Sequence, residues 1–187
     1  MTRHQPDDGT GSEATRGITA DEPALGGAGR LEVFSPTFED GAPLPQRHSD
    51  YGDGLSPELR WSGGPPGTMS YAVLVEDPDA HGVRPWVHWV VYNVPAGTGY
   101  LPEGMAADAA PAVPQGAMQG VGTGGDVGYF GPRPPARDAA HRYYFEVFAL
   151  DTHLPLAGGA AHEDVRRAMR GHVLASGVLL GRYGARH

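Results

Sequence analysis

Short runs of β-branched and aromatic residues, each closed by proline, glycine or aspartate, set the pattern of the chain and predict strands rather than long helices. The centre of that pattern is residues 70–95, S-Y-A-V-L-V-E-D-P-D-A-H-G-V-R-P-W-V-H-W-V-V-Y-N-V-P. Residues 71–75 and 87–94 read as two strands. Asp77-Pro78-Asp79 ends the first, because proline has no N–H to give to a ladder. Leu31-Glu32-Val33-Phe34 alternates as a strand should before Ser35-Pro36 breaks it, and residues 56–61 form another short extended piece. Residues 143–150 are the clearest strand, with His141, Tyr143, Phe145 and Val147 on one face of it.

One helix is expected. Val165, Ala168, Met169, His172, Ser176 and Leu179 recur at steps of three and four, with Glu163 and Asp164 at the positive end of the helix dipole. Gly171 and Gly177 weaken the pattern, so the helix is placed at 163–175. Residues 96–128 are rich in Gly, Ala and Pro and poor in large apolar side chains, a long connection with a pliable Gly122-Thr123-Gly124-Gly125. Residues 1–29 carry little to bury and read as a disordered tail, leaving 30–187 as one domain. The bond between Arg84 and Pro85, just before Trp86, is a candidate for a cis peptide.

Composition narrows the function classes. Fourteen Lys and Arg against 22 Asp and Glu give a net charge of −8, which opposes a nucleic-acid partner. No cysteine is present, so disulfides, thiol catalysis and Cys-based zinc sites are excluded. No apolar stretch has the length of a membrane span, and no secretory pattern opens the chain. A cytoplasmic location is the expectation.

The candidate chemistry lies where polar groups interrupt apolar strands. Asp77 leaves the first central strand, His88 sits inside the second, and His141-Arg142-Tyr143 opens the strand at 143–150. Such groups need partners or a purpose. Two imidazoles and a carboxylate could form a facial metal set, an acid–base pair with an orienting carboxylate, or an anion cradle aided by the Tyr143 hydroxyl. They could also be satisfied core polar groups. Trp86 and Tyr129 could line the same cavity, and Arg133 and Arg137 could attract an anion to its mouth. No nucleophile elbow, phosphate-binding glycine loop or dinucleotide fingerprint occurs.

The segments S-P-E-L-R-W (56–61), D-P-D-A (77–80), W-V-H-W-V-V-Y-N-V-P (86–95), G-Y-F-G-P-R-P-P (128–135), H-R-Y (141–143), A-L-D (149–151) and M-R-G-H-V-L-A (169–175) resemble the phosphatidylethanolamine-binding protein family. Their order fits its bacterial, Raf-kinase-inhibitor-like branch across roughly residues 31–184. The resemblance implies a mainly β fold, a large antiparallel sheet packed on a smaller one with a C-terminal helix near the pocket. It implies a pocket for small anions and phosphoryl headgroups made of Asp77, Trp86, His88, Pro135, His141 and Tyr143. Its partners would be a small anionic or phosphorylated ligand and, for a regulatory role, a protein; no cofactor or metal is expected. The chain departs from the family's pattern at His81, where proline is usual, at Gly122-Thr123-Gly124-Gly125, where Asn-Asp-Phe-Gly is usual, and at Arg137, where glycine is usual. An altered loop of this kind keeps open an enzyme that uses Asp77, His88 and His141 for acid–base isomerisation or cyclisation of a small metabolite.

Overall fold

The computed structural model describes residues 17–184. Nine strands and one α-helix follow one another as β1 (Gly29–Arg30), β2 (Val33–Phe34), β3 (Leu59–Trp61), β4 (Ser70–Asp77), β5 (Trp86–Pro95), β6 (Tyr100–Leu101), β7 (Met118–Gln119), β8 (His141–Leu150), α1 (His162–Met169) and β9 (Val173–Tyr183). They build a six-stranded sheet in the order β1-β9-β8-β4-β5-β7 and a three-stranded sheet in the order β2-β3-β6. The large sheet is antiparallel except at its edge, where β1 runs parallel to β9.

β4 lies at the centre of the large sheet, paired with β5 on one side and β8 on the other, and all eight of its residues are buried. Its side chains alternate between two apolar layers. Tyr71, Val73 and Val75 face Leu59, Trp61 and Leu101 of the small sheet, with Phe145 and Val147 of β8 in the same cluster. Ala72 and Leu74 face the opposite way, toward Leu25, Val165 and Met169. The fold is therefore layered: small sheet, large sheet, then the helix with residues 18–25 on the back.

Two expectations are corrected. The helix stops at Met169, and residues 173–183 form the longest strand, in register with all of β8. Gly171, in the left-handed region at φ 79, turns the chain out of the helix. The stripe Val173, Ala175, Leu179 also fits a strand half-buried against β8, and pairing along ten positions outweighs a helix interrupted by two glycines.

The second correction concerns the tail. Residues 1–16 lie outside the described residues, but 17–29 pack on the domain. They form two 3₁₀ turns at Thr19–Asp21 and Pro23–Leu25, with Ile18, Thr19 and Leu25 buried. Composition gave no hint because the segment docks through two backbone amides and a few scattered side chains rather than an apolar run. Thr19 N–H and Oγ1–H donate to Glu76 at 2.8 and 2.7 Å, and Ala20 N–H donates to Glu146 at 2.5 Å. Glu22 forms an ion pair with Arg166 of the helix.

Smaller differences follow the same logic. Among the described residues the cis peptide is Val113–Pro114, and Arg84–Pro85 is trans. The glycine-rich loop is pinned: Thr123 N–H donates to Val87 O at 2.9 Å, and Thr123 Oγ1 accepts from Val87 N–H at 2.9 Å. A Cβ on Gly122 would lie 2.5 Å from Val87 O, so glycine there serves a close backbone approach rather than pliability.

Candidate functional site

The β4–β5 pair and the start of β8 end at the same edge of the sheet, and there the polar residues meet. Asp77 is the last residue of β4, Trp86 opposes it across the ladder to β5, and His141 opens β8. Asp77 sits on the same side of β4 as Val75, and Tyr143 on the same side of β8 as Phe145, so both side chains join the face toward the small sheet. That sheet does not reach this edge. A cleft of about 330 Å³ opens instead, lined by Asp77, Trp86, His88, Pro135, His141 and Tyr143 together with Ala80, His81, Phe130, Arg133 and Pro134.

All six expected pocket residues thus border one cleft. Tyr129 does not: its ring packs edge-on against Trp89, and its hydroxyl donates to His48 O at 2.9 Å. Arg133 reaches the cleft and pairs with Asp50 at 3.1 Å. His81, expected from sequence to add a titratable group at the rim, lines the cleft, whereas Phe130 was not assigned a pocket role from sequence. Phe130 follows from the strand pattern only after the stretch 128–135 is known to hook β5, where Phe130 N–H donates to His88 O at 2.9 Å.

Asp77 is the hub. Its Oδ1 accepts from the backbone N–H groups of Asp79 and Ala80 at 2.8 and 3.0 Å, a turn closed by the Asp-Pro-Asp-Ala sequence. Its Oδ2 lies 2.8 Å from His141 Nδ1 and 4.0 Å from His88 Nε2. The two histidines nevertheless differ. His88 Nδ1 is 2.8 Å from Phe130 O; a carbonyl only accepts, so Nδ1 carries the hydrogen and Nε2 is the nitrogen turned toward Asp77. Burial holds His88 below the usual histidine value, against the pull of the Phe130 carbonyl and Asp77 and with the repulsion of His141. His141 is pushed above it, first by its hydrogen bond to Asp77 and then by the charge of Asp77 and by Asp138 and Asp79, with burial opposing. The surroundings therefore favour the neutral form of His88 and the imidazolium form of His141.

The surrounding charges are fixed. Asp79 accepts from Arg142 Nε at 2.9 Å and Nη2 at 2.6 Å, a two-pronged pair. Burial works against the ionised Asp79, but Arg142 prevails and holds its carboxyl below the usual range. The Tyr143 hydroxyl is pushed up by burial and by the negative charge of Asp77, so it stays protonated and can donate. Its ring meets His88 edge-on at 5.2 Å, while Phe130 stacks on the other side of His88 at 5.9 Å. Among the described residues no group of three His, Cys, Asp or Glu side chains is arranged to hold a metal ion. Chemically, the cleft offers a charged N–H donor, a neutral base, a hydroxyl donor and apolar walls.

Comparison with known proteins identifies the family. The family model for phosphatidylethanolamine-binding protein matches residues 34–184. A UPF0098 protein of Methanothermobacter thermautotrophicus is 42% identical over 153 residues, covering 82% of this chain and 98% of its own. A second UPF0098 protein, from Chlamydia muridarum, is 41% identical over 157 residues with the same coverage of both. The crystal structure of E. coli YbcL, described as a member of the mammalian PEBP family, superposes with a TM-score of 0.78 at 34% identity, over 84% of this chain and 99% of YbcL. The chain belongs to the phosphatidylethanolamine-binding protein family, in its bacterial and archaeal branch.

Proposed function

We propose that this protein is a small-molecule-binding or regulatory protein whose cleft captures a small oxyanion of the phosphoryl-headgroup kind. The observation that carries this reading is the hydrogen bond of His141 to buried Asp77, which favours the imidazolium at the border of a cleft that also offers the Tyr143 hydroxyl and the Arg133 guanidinium. Trp86, Phe130 and Pro135 would cover the apolar part of a headgroup-bearing ligand. Partners are this ligand and, for a regulatory role, a protein docking at the rim. The expected cytoplasmic location belongs to the same proposal; among the described residues no helix is long and apolar enough to cross a membrane.

Anion binding has a signed pH dependence. An incoming phosphate stabilises the charged form of His88, which burial otherwise holds neutral, so binding takes up protons. Affinity should fall as pH rises through the histidine range and strip charge from His141 as well. Titration calorimetry with inorganic phosphate and with glycerol phosphate, in buffers of different ionisation heat, tests this. Proton uptake is expected, and His141→Ala should lose about 1.5–3 kcal/mol, more than tenfold in affinity. Absence of binding, or binding unchanged by His141→Ala, would overturn the reading.

The inequality of the two histidines favours a second reading, acid–base catalysis. His88 Nε2 would take a proton from a neutral metabolite and the His141 imidazolium would return one elsewhere, an isomerisation or cyclisation with no net proton change. A neutral substrate turned over with a bell-shaped pH profile, in protein that ignores phosphate, would move it ahead.

A further inference from the structure

The His141 ring has two nitrogens, and both face carboxylates. Nδ1 is committed to Asp77 at 2.8 Å. Nε2 is the nitrogen left to meet a ligand, and it lies 3.5 Å from Asp138 Oδ2. The same Asp138 oxygen lies 3.0 Å from His81 Nε2. His81 and His141 both border the cleft, so one carboxylate oxygen bridges two cleft imidazoles.

The two links of that bridge are unequal. The contact to His81 has hydrogen-bond length, whereas the contact to His141 is longer and carried by charge. Asp138 is placed by a turn in which its N–H donates to Pro135 O at 3.0 Å, and its side chain remains partly exposed. His81 is more open still, with 78% of its side chain exposed. By contrast Asp79, the other carboxylate that supports the charge of His141, is locked by Arg142, and Asp77 is locked by two backbone amides. Asp138 is thus the one carboxylate around His141 held by contacts that can be exchanged without breaking buried structure.

We propose that Asp138 is an internal competitor for the oxyanion: without an anion it is shared between His81 and the charge at His141 Nε2–H, and it is left wholly to His81 when an anion takes the His141 donor. His81 is then a positioning residue, acting on affinity by receiving the displaced carboxylate. The inference rests on the anion-binding reading above and adds what regulates that site. It makes the cleft selective for anions that bind His141 better than a carboxylate does, which favours phosphoryl groups with several acceptor oxygens over simple carboxylates.

The test uses inorganic phosphate as probe on the full chain, with calorimetry and NMR titration of the imidazoles. Asp138→Asn keeps the shape and removes the competing charge, so phosphate affinity should rise about tenfold, the scale of one charge-assisted contact. His81→Ala removes the alternative seat and should lower affinity several-fold. In the unaltered protein phosphate should shift the His81 ring resonances as Asp138 is left wholly to that ring, and this response should vanish in Asp138→Asn. If Asp138→Asn binds phosphate equally or more weakly, Asp138 only positions His141 and the proposal is overturned. A His81 response that persists in Asp138→Asn means direct contact with phosphate, and a response absent from both proteins means no transfer; either outcome also overturns it. Failure of both proteins to bind phosphate is a different result: it overturns the anion pocket itself, and the competitor with it.

Discussion

Glu76 and Asp77 are neighbours in β4, and because strand side chains alternate they face opposite sides of the sheet. Each meets a titratable partner from β8. Asp77 meets His141 on the face toward the small sheet and borders a cleft; Glu76 meets Glu146 on the back and is sealed. Opposite charges leave the front site stable while open. On the back, two carboxylates cannot both ionise in a buried place. Burial and the charge of Glu76 push Glu146 far up, so it keeps its proton and shares it with Glu76. Among the described residues Glu146 Oε1 is buried without a hydrogen-bond partner. The remaining acceptors are satisfied by the segment at Thr19 and Ala20. Identical residue chemistry thus serves ligand access on one face and closure on the other, and the partner across the ladder decides which.

That contrast can be broken from the back. Deleting residues 1–26, measured against a chain beginning at Gly17, removes three donors to buried carboxyl groups and the buried Leu25. Hydrogen bonds are worth about 0.5–1.5 kcal/mol each between neutral groups and about 1.5–3 kcal/mol to a charged one, and about 1 kcal/mol moves the midpoint of a domain this size by 2–4 °C. The melting midpoint should fall by about 10 °C or more in scanning calorimetry, while phosphate binding at the front persists. A midpoint unchanged by the deletion would show that the segment contributes nothing.

The proton on Glu146 gives the next effect. Its folded-state pKa is raised, so the folded state holds a proton that the unfolded chain has released. Stability from this group is complete below the ordinary glutamate value and declines as pH rises toward the folded value, by up to about 1.4 kcal/mol per pH unit. Glu146→Gln keeps a neutral group in place and should remove that decline. Urea unfolding at pH 5, 6 and 7, read as the difference between the two proteins, separates it from the histidines. His141 also loses stabilisation as pH rises through its raised value, and His88 loses it as pH falls below the usual histidine range. Parallel stability curves for the two proteins would show that Glu146 does not hold the proton.

The smallest change is Thr19→Val, which deletes the hydroxyl bonded to Glu76 and keeps the shape. About 1.5 kcal/mol should be lost, with the Asp77 side of the sheet unaffected. A matching loss in phosphate affinity would mean that the two faces are coupled through β4 rather than independent.

How much of this could be read from sequence follows the same division. The front was legible because its groups stand out: Asp77 beside a proline, His88 among valines and tryptophans, His141 opening an apolar strand. Phe130 and Asp138 were not, since their roles arise from a loop folding back on β5 and β8, contacts that no local spacing encodes. The back was hardly visible. Glu146 looks like an ordinary polar position in an alternating strand, and residues 17–29 bury backbone amides that every sequence possesses. Residues 173–183 were misread because an apolar stripe broken by glycine fits helix and strand alike until β8 is there to pair with it.

The docking of that N-terminal segment has a consequence for how the molecule assembles. Its seat draws on Glu76 of β4, Glu146 of β8, Arg166 of the helix and, through β1, Ala175 of β9. These groups are spread over a hundred residues of chain, so the seat exists only after every later strand has been laid down. The first of the described residues to leave a ribosome is therefore the last to find its place. Until it does, Glu146 lies open to water; closing the seat buries it, and that burial favours its protonated form. Assembly of this back face is thereby linked to the uptake of protons, a coupling the open cleft on the other face does not share.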